Sequence, residues 1–148
     1  MRMIKMLCGK GFLMRVEAKD KLKRYLESEN ITSVLNNTKW KRLFSELKNI
    51  EGYVDFQRKD VNEEFTNHEY WCMDIYNIFA GWENIEWLNI RALTVQRRGA
   101  LVKPKIENNI QLLLKAISKS GVPYCMNGDG IRIYGYLRIG VSPDWVNT

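Results

Sequence analysis

The chain has 148 residues, enough for one domain that buries about two-thirds of its unfolded surface. A hydrophobic share of 45% and a charged share of 27% belong to a folded protein and exclude a wholly disordered one. The net charge of +6 is unevenly distributed: residues 1–50 carry +7, residues 51–86 carry −7 and residues 87–148 carry +6.

Residues 1–15 predict a weakly structured leader, ahead of a single domain over 16–148. Lys10 and Arg15 interrupt the leader's apolar residues and no small-residue cleavage site follows, so it lacks the marks of a targeting signal. Met14 is an alternative translation start to Met1. In the stretch 16–29, Ala18, Leu22, Tyr25 and Leu26 share one side of a first helix, which Asn30 ends; ITSVLN then reads as a turn or connector. Asn37 or Thr38 is expected to cap the second helix, because a side-chain oxygen there can accept an unpaired first-turn N–H. Trp40, Leu43, Phe44 and Leu47 follow at i, i+3, i+4 and i+7, a single apolar stripe. Lys39, Lys41, Arg42 and Lys48 fall off that stripe. The tryptophan therefore points to the core and is no platform for bases, while the lysines form a solvated face that could still touch phosphate.

Three aromatic and β-branched runs read as strands: 52–61, 69–79 and 85–93. In the first, Tyr53, Asp55 and Gln57 face one way and Val54, Phe56 and Arg58 the other. Residues 94–102 are a loop or short strand. Pro104 suits a helix start, and Ile106, Ile110, Leu113, Leu114 and Ile117 predict a helix over 105–119 that Gly121 terminates. Strand 122–126, a tight turn at Asn127-Gly128-Asp129-Gly130 and strand 131–139 close the domain, with Trp145 docked from the tail. The implied class is α+β, with a single antiparallel β-sheet and about three helices packed on one face.

No catalytic motif stands out: GxxxxGK[ST], GxSxG and HExxH are missing, and His68 is the sole histidine. Asp60, Glu63 and Glu64 cluster without the glycine of a calcium loop. The expectation is a non-enzyme without cofactor or metal. Three cysteines, Cys8, Cys72 and Cys125, without CxxC spacing suit reduced thiols in the cytoplasm, and no apolar run reaches the roughly 18 residues of a membrane span.

The acidic stretch 51–86 is also rich in aromatics. Its charge either complements the basic segments within the fold or forms a surface for a basic protein partner, with Tyr53, Asp55, Asp60, Glu63, Glu64 and Trp82 as candidate contacts. In the last strand Arg132, Tyr134, Tyr136 and Arg138 alternate with Ile131, Ile133, Gly135 and Leu137. Arginines and tyrosines on an exposed sheet face can stack bases, grip a protein partner or simply pack across strands.

The stretches NNTKWKRLFSEL, IEWL and IRIYGYLRIG together resemble a family of small bacterial proteins of unknown function, marked by an N-T-K-W helix start and a late I-R-I-x-G-Y strand. The likeness spans roughly residues 16 to 145. Similar small proteins are often immunity partners of secreted toxins, so the resemblance implies a cytoplasmic inhibitor acting by stoichiometric binding; it assigns no residues. The alternative is a small basic nucleic-acid-binding protein using Lys19, Lys21, Lys23, Arg24, Arg97, Arg98, Arg132 and Arg138. Neither reading fixes the oligomeric state.

Overall fold

The computed structural model describes residues 17–62, 71–96 and 99–146. The leader, Glu63, Glu64, His68, Arg97 and Arg98 lie outside those residues.

Helix α1 (17–28) matches the first amphipathic stretch. The ITSVLN connector contains a short strand, β1 (Thr32–Ser33), which pairs with a partner a hundred residues away in sequence and so leaves no local signal. Helix α2 (Asn37–Lys48) buries Trp40, Leu43 and Leu47, as its stripe predicts. Its cap is Asn36, one residue earlier than expected: Asn36 Oδ1 accepts from the Lys39 N–H at 2.9 Å. Asn37 Oδ1 is engaged elsewhere, accepting from Trp82 Nε1 at 3.1 Å.

Strand β2 (Asp55–Asp60) follows. The described part of the run 69–79, residues 71–79, is not a strand. Only an isolated bridge between Phe56 and Cys72 is extended, and the chain then turns into helix α3 (Ile75–Phe79). Asp74 drives that turn by accepting from the N–H groups of Tyr76 and Asn77, and Ile75, Ile78 and Phe79 fall on the buried side. A 3-10 turn (Trp82–Asn84) leads into β3 (Ile85–Arg91), and β4 (Leu93–Gln96) pairs with β5 (Lys105–Asn108) in a two-stranded ribbon. Helix α4 (Ile110–Ser120) therefore starts later than Pro104 suggests, because residues 105–108 complete that ribbon. Gly121 ends the helix in the left-handed conformation, φ 70°. Strands β6 (Cys125–Asn127) and β7 (Gly130–Tyr134) form the expected tight hairpin, and β8 (Tyr136–Leu137) breaks away to meet β1.

The expected single sheet is thus a four-stranded antiparallel sheet, in the order β2-β3-β7-β6, accompanied by the ribbons β1-β8 and β4-β5. Helices α2, α3 and α4 bury their apolar sides with Phe56, Leu88, Ile90, Ile131 and Ile133 of the sheet's inner face. Each fully buried Leu, Ile or Phe in this core contributes about 1.5–3 kcal/mol. None of the helices among the described residues is long and apolar enough to cross a membrane.

Two local devices shape the other face. Lys59 pairs with Trp87 but Asp60 pairs with Ile85, so Glu86 is the extra residue of a β-bulge. Ile85 thereby stays in the core while Glu86 turns outward beside Trp87. Gly135 then lets the chain pass close to the bulge: a Cβ there would lie 2.1 Å from the Ile85 carbonyl oxygen and 3.0 Å from the Trp40 ring. That close approach divides the predicted last strand into β7 and β8.

Candidate functional site

The sheet face turned away from the helices carries the densest set of polar and aromatic side chains. Alternation along β2, β3 and β7 puts Asp55, Gln57 and Lys59 beside Arg91, Asn89 and Trp87, and these beside Arg132 and Tyr134. At its centre Asn89 Nδ2 donates to Gln57 Oε1 at 2.9 Å, and Arg132 Nε donates to Asn89 Oδ1 at 2.7 Å. Gln57 and Asn89 are buried, and this ladder satisfies amides that would otherwise cost about 1–3 kcal/mol each. The Arg132 guanidinium lies 4.3 Å from the centroid of the Trp87 ring and 5.9 Å from that of Tyr134. Tyr134 in turn meets Trp145 edge-on at 6.0 Å, so the tail does dock here.

At one end of the face Glu86 accepts from Lys59 Nζ at 2.9 Å and from Arg138 Nε at 2.7 Å. Arg138 also donates to the Val61 carbonyl at 2.6 Å. Burial works against its charge, but hydrogen bonds with Tyr25 and Glu86 outweigh that and hold the guanidinium above its ordinary pKa. At the other end Arg91 pairs with Asp55 and stacks on Trp71 at 4.2 Å.

Of the sequence-predicted residues, Arg132, Tyr134, Arg138 and Asp55 therefore share this face. Tyr136 lies beyond the Gly135 break, where its hydroxyl donates to the Glu83 carbonyl. Burial, reinforced by the Glu83 carboxylate, pushes the Tyr136 phenol above its usual pKa. Asp60 sits elsewhere, paired with Arg58 next to α3. Tyr53 is exposed before β2, and its carbonyl accepts from Asn109. Trp82 is held at the start of α2 by Asn37.

Sequence reasoning missed Gln57, Glu86, Trp87, Asn89 and Arg91. Four of these could have been found by pairing the outward positions of 52–61 with those of 85–93. Glu86 could not, because its outward turn depends on the bulge. Among the described residues no three His, Cys, Asp or Glu side chains converge as metal ligands would. The thiol of Cys125, buried opposite Arg132, is pushed up by burial and by Asp144 against the lowering effect of Arg132.

A family model, described as a family of unknown function (DUF6678), matches residues 22–140. The chain belongs to this family. The match covers α1 from Leu22 through the end of β8, so the sheet face lies almost entirely within the family's shared region. Comparison with curated proteins and with solved structures returns no match.

Proposed function

We propose that this DUF6678 member is a non-catalytic protein-binding domain, which neutralises a toxin by stoichiometric contact through the outer face of its four-stranded sheet. The observation that carries this reading is Arg132. Among the described residues it is the one cation on the face that no carboxylate pairs with, whereas Lys59, Arg91 and Arg138 are each matched to an acid. It is held between Asn89 and Trp87, with the half-buried Tyr134 ring beside it and Trp145 packed edge-on against that ring. A pre-positioned arginine among Trp and Tyr side chains is the composition of an interface hot spot. It fits a partner that brings a carboxylate to Arg132 and apolar groups to the rings.

The internal pairing also bears on the acidic-partner reading of stretch 51–86. Asp55, Asp60 and Glu86 already satisfy Arg91, Arg58, Lys59 and Arg138, which leaves them little free charge with which to imitate a nucleic acid. Base stacking on the sheet gains less support than protein docking, because guanidinium groups already lie over Trp71 and Trp87.

The deciding experiment is a pull-down of the tagged chain from its native cells, at low and high salt, with mass spectrometry of what is retained. One stoichiometric protein should be held by the wild type, resist salt and be lost with Arg132→Glu. If that protein is toxic when expressed alone, co-expression of the wild type and not of Arg132→Glu should protect the cells. Retention of the partner by Arg132→Glu, or recovery of nucleic acid alone, would sink the proposal.

A further inference from the structure

A groove runs between α1, the first turns of α2 and the 3-10 turn, and none of the residues lining it belongs to the sheet face. Leu22 and Leu26 of α1 and the Trp82 indole form its floor, and Lys19, Lys23 and Lys41 stand around it. It is an open surface groove with a volume of about 500 Å³. The floor is fixed in place, since Asn37 holds the indole N–H at 3.1 Å. Among the described residues none of the three lysines is in an ion pair. Glu83, at one edge, offsets one of their charges and leaves the groove net positive.

The hollow continues along α1 past Leu22 and Glu83 to Ala18 and Asn84. From Ala18 to Leu26 is about 12 Å of helix axis, which an extended peptide crosses in about four residues. Lys19 and Lys23, one turn apart, line one wall, and Lys41 faces them from α2. Lysine stems can lie on the apolar floor while their ammonium groups reach above it. The ligand complementary to this arrangement has anionic groups on both sides of a bulky apolar one. Two leucines offer nothing to the edges of a nucleobase, so the apolar group is better supplied by a side chain.

We propose that this groove is a second binding site, which takes an extended acidic peptide segment with a Leu, Phe or Trp seated on Leu22, Leu26 and Trp82. It does not depend on the sheet-face reading, and a partner could engage either site without the other.

The test is to select peptides from a randomised twelve-residue display library against the full chain, then measure the best binder by fluorescence anisotropy at ~150 mM salt, where exposed charges beyond about 8 Å are screened. Selected peptides should place Asp or Glu around one bulky apolar residue. Their affinity should fall at least about tenfold against Lys23→Glu/Lys41→Glu, comparably against Leu26→Asp, and not at all against Arg132→Ala. Circular dichroism and thermal unfolding of each variant separate lost binding from lost fold; if Leu26→Asp does not fold, Leu26→Ala replaces it. The proposal fails if no peptide is enriched, if the enriched peptides lack acids, or if charge reversal leaves their affinity unchanged. It also fails if a labelled oligothymidylate displaces the peptide at that salt, which would make phosphate the ligand. A concentration-dependent dimer abolished by Lys23→Glu would overturn it too, by making a second copy of the chain the occupant.

Discussion

Tyr136 shows how one residue can look like a contact and act as a fastener. Its place in the Arg-Tyr alternation of residues 131–139 suggests the same exposed face as Arg132 and Tyr134. The Gly135 break instead aims its hydroxyl at the Glu83 carbonyl, where it ties β8 to the 3-10 turn. Burial and the Glu83 carboxylate favour the neutral phenol, so its folded-state pKa lies above the unfolded value of about 10. A raised folded pKa means that the stabilisation is complete below pH ~10 and declines as pH climbs through the folded value. Tyr136→Phe should therefore unfold at lower urea than wild type at pH ~8, by about 1 kcal/mol for the lost hydrogen bond. Above pH ~10 the gap should narrow, because only wild type has a phenol to titrate. A gap that stays constant from pH ~8 to ~11 would mean that the hydroxyl is not shielded as described.

At the scale of elements, Arg58 explains why α3 can be so short. Its guanidinium donates to the carbonyls of Ile78 and Gly81, at 2.8 and 3.1 Å, and to that of Ala80, while Asp60 holds it from behind. The Ile78 and Ala80 carbonyls lie at the helix end, where intrahelical donors run out, and the Gly81 carbonyl also accepts from the Asn84 N–H, so a single planar fork ties the end of α3 to the 3-10 turn. Lysine, a point charge on a flexible stem, cannot reproduce that fork. Arg58→Lys should lower stability by about 2–3 kcal/mol in urea unfolding, and amide hydrogen exchange should quicken across Ile75–Gly81 before the β3–β7 pairing is affected. Equal loss of protection in both places would show that α3 is not independently secured. The same cluster marks a limit of sequence reading. The run 69–79 carries Trp, Tyr, Ile and Phe and so scores as a strand, yet Asp74 and the spacing of Ile75, Ile78 and Phe79 were a legible helix signal that β-propensity outweighed. By contrast α2 was readable almost to the residue, because a strong stripe and an Asn-rich start agree. Strands β1 and β5 were not readable, since each is defined by a partner that no local pattern encodes, and β8 was read as a continuation of β7 because nothing local marks the break at Gly135.

For the whole molecule, the question raised by the segregated charge is which segments neutralise which. Among the described residues the ion pairs run within the acidic block, as Arg58–Asp60 and Lys59–Glu86, from the block to the last segment, as Arg91–Asp55 and Arg138–Glu86, and within the β5 strand, as Lys105–Glu107. None involves residues 17–50. Asp55 and Glu86 are thus spent on the sheet face and Asp60 on Arg58, while the basic residues of α1 and α2 stay outside any ion pair among the described residues. The sequence carried this imbalance but not its location, because cross-strand register decides which charges meet. If the sheet is a protein-docking face, any affinity for nucleic acid should be a property of those helices and should behave as counterion release. A labelled oligothymidylate should then bind at ~20 mM salt and be lost by ~150 mM, with a log–log slope of about −0.7 for each phosphate engaged. Lys21→Glu/Arg24→Glu should abolish that binding and Arg132→Ala should not change it. Affinity that survives ~150 mM salt and collapses with Arg132→Ala would instead put nucleic acid on the sheet, since non-specific charge contact alone does not resist salt or depend on one arginine.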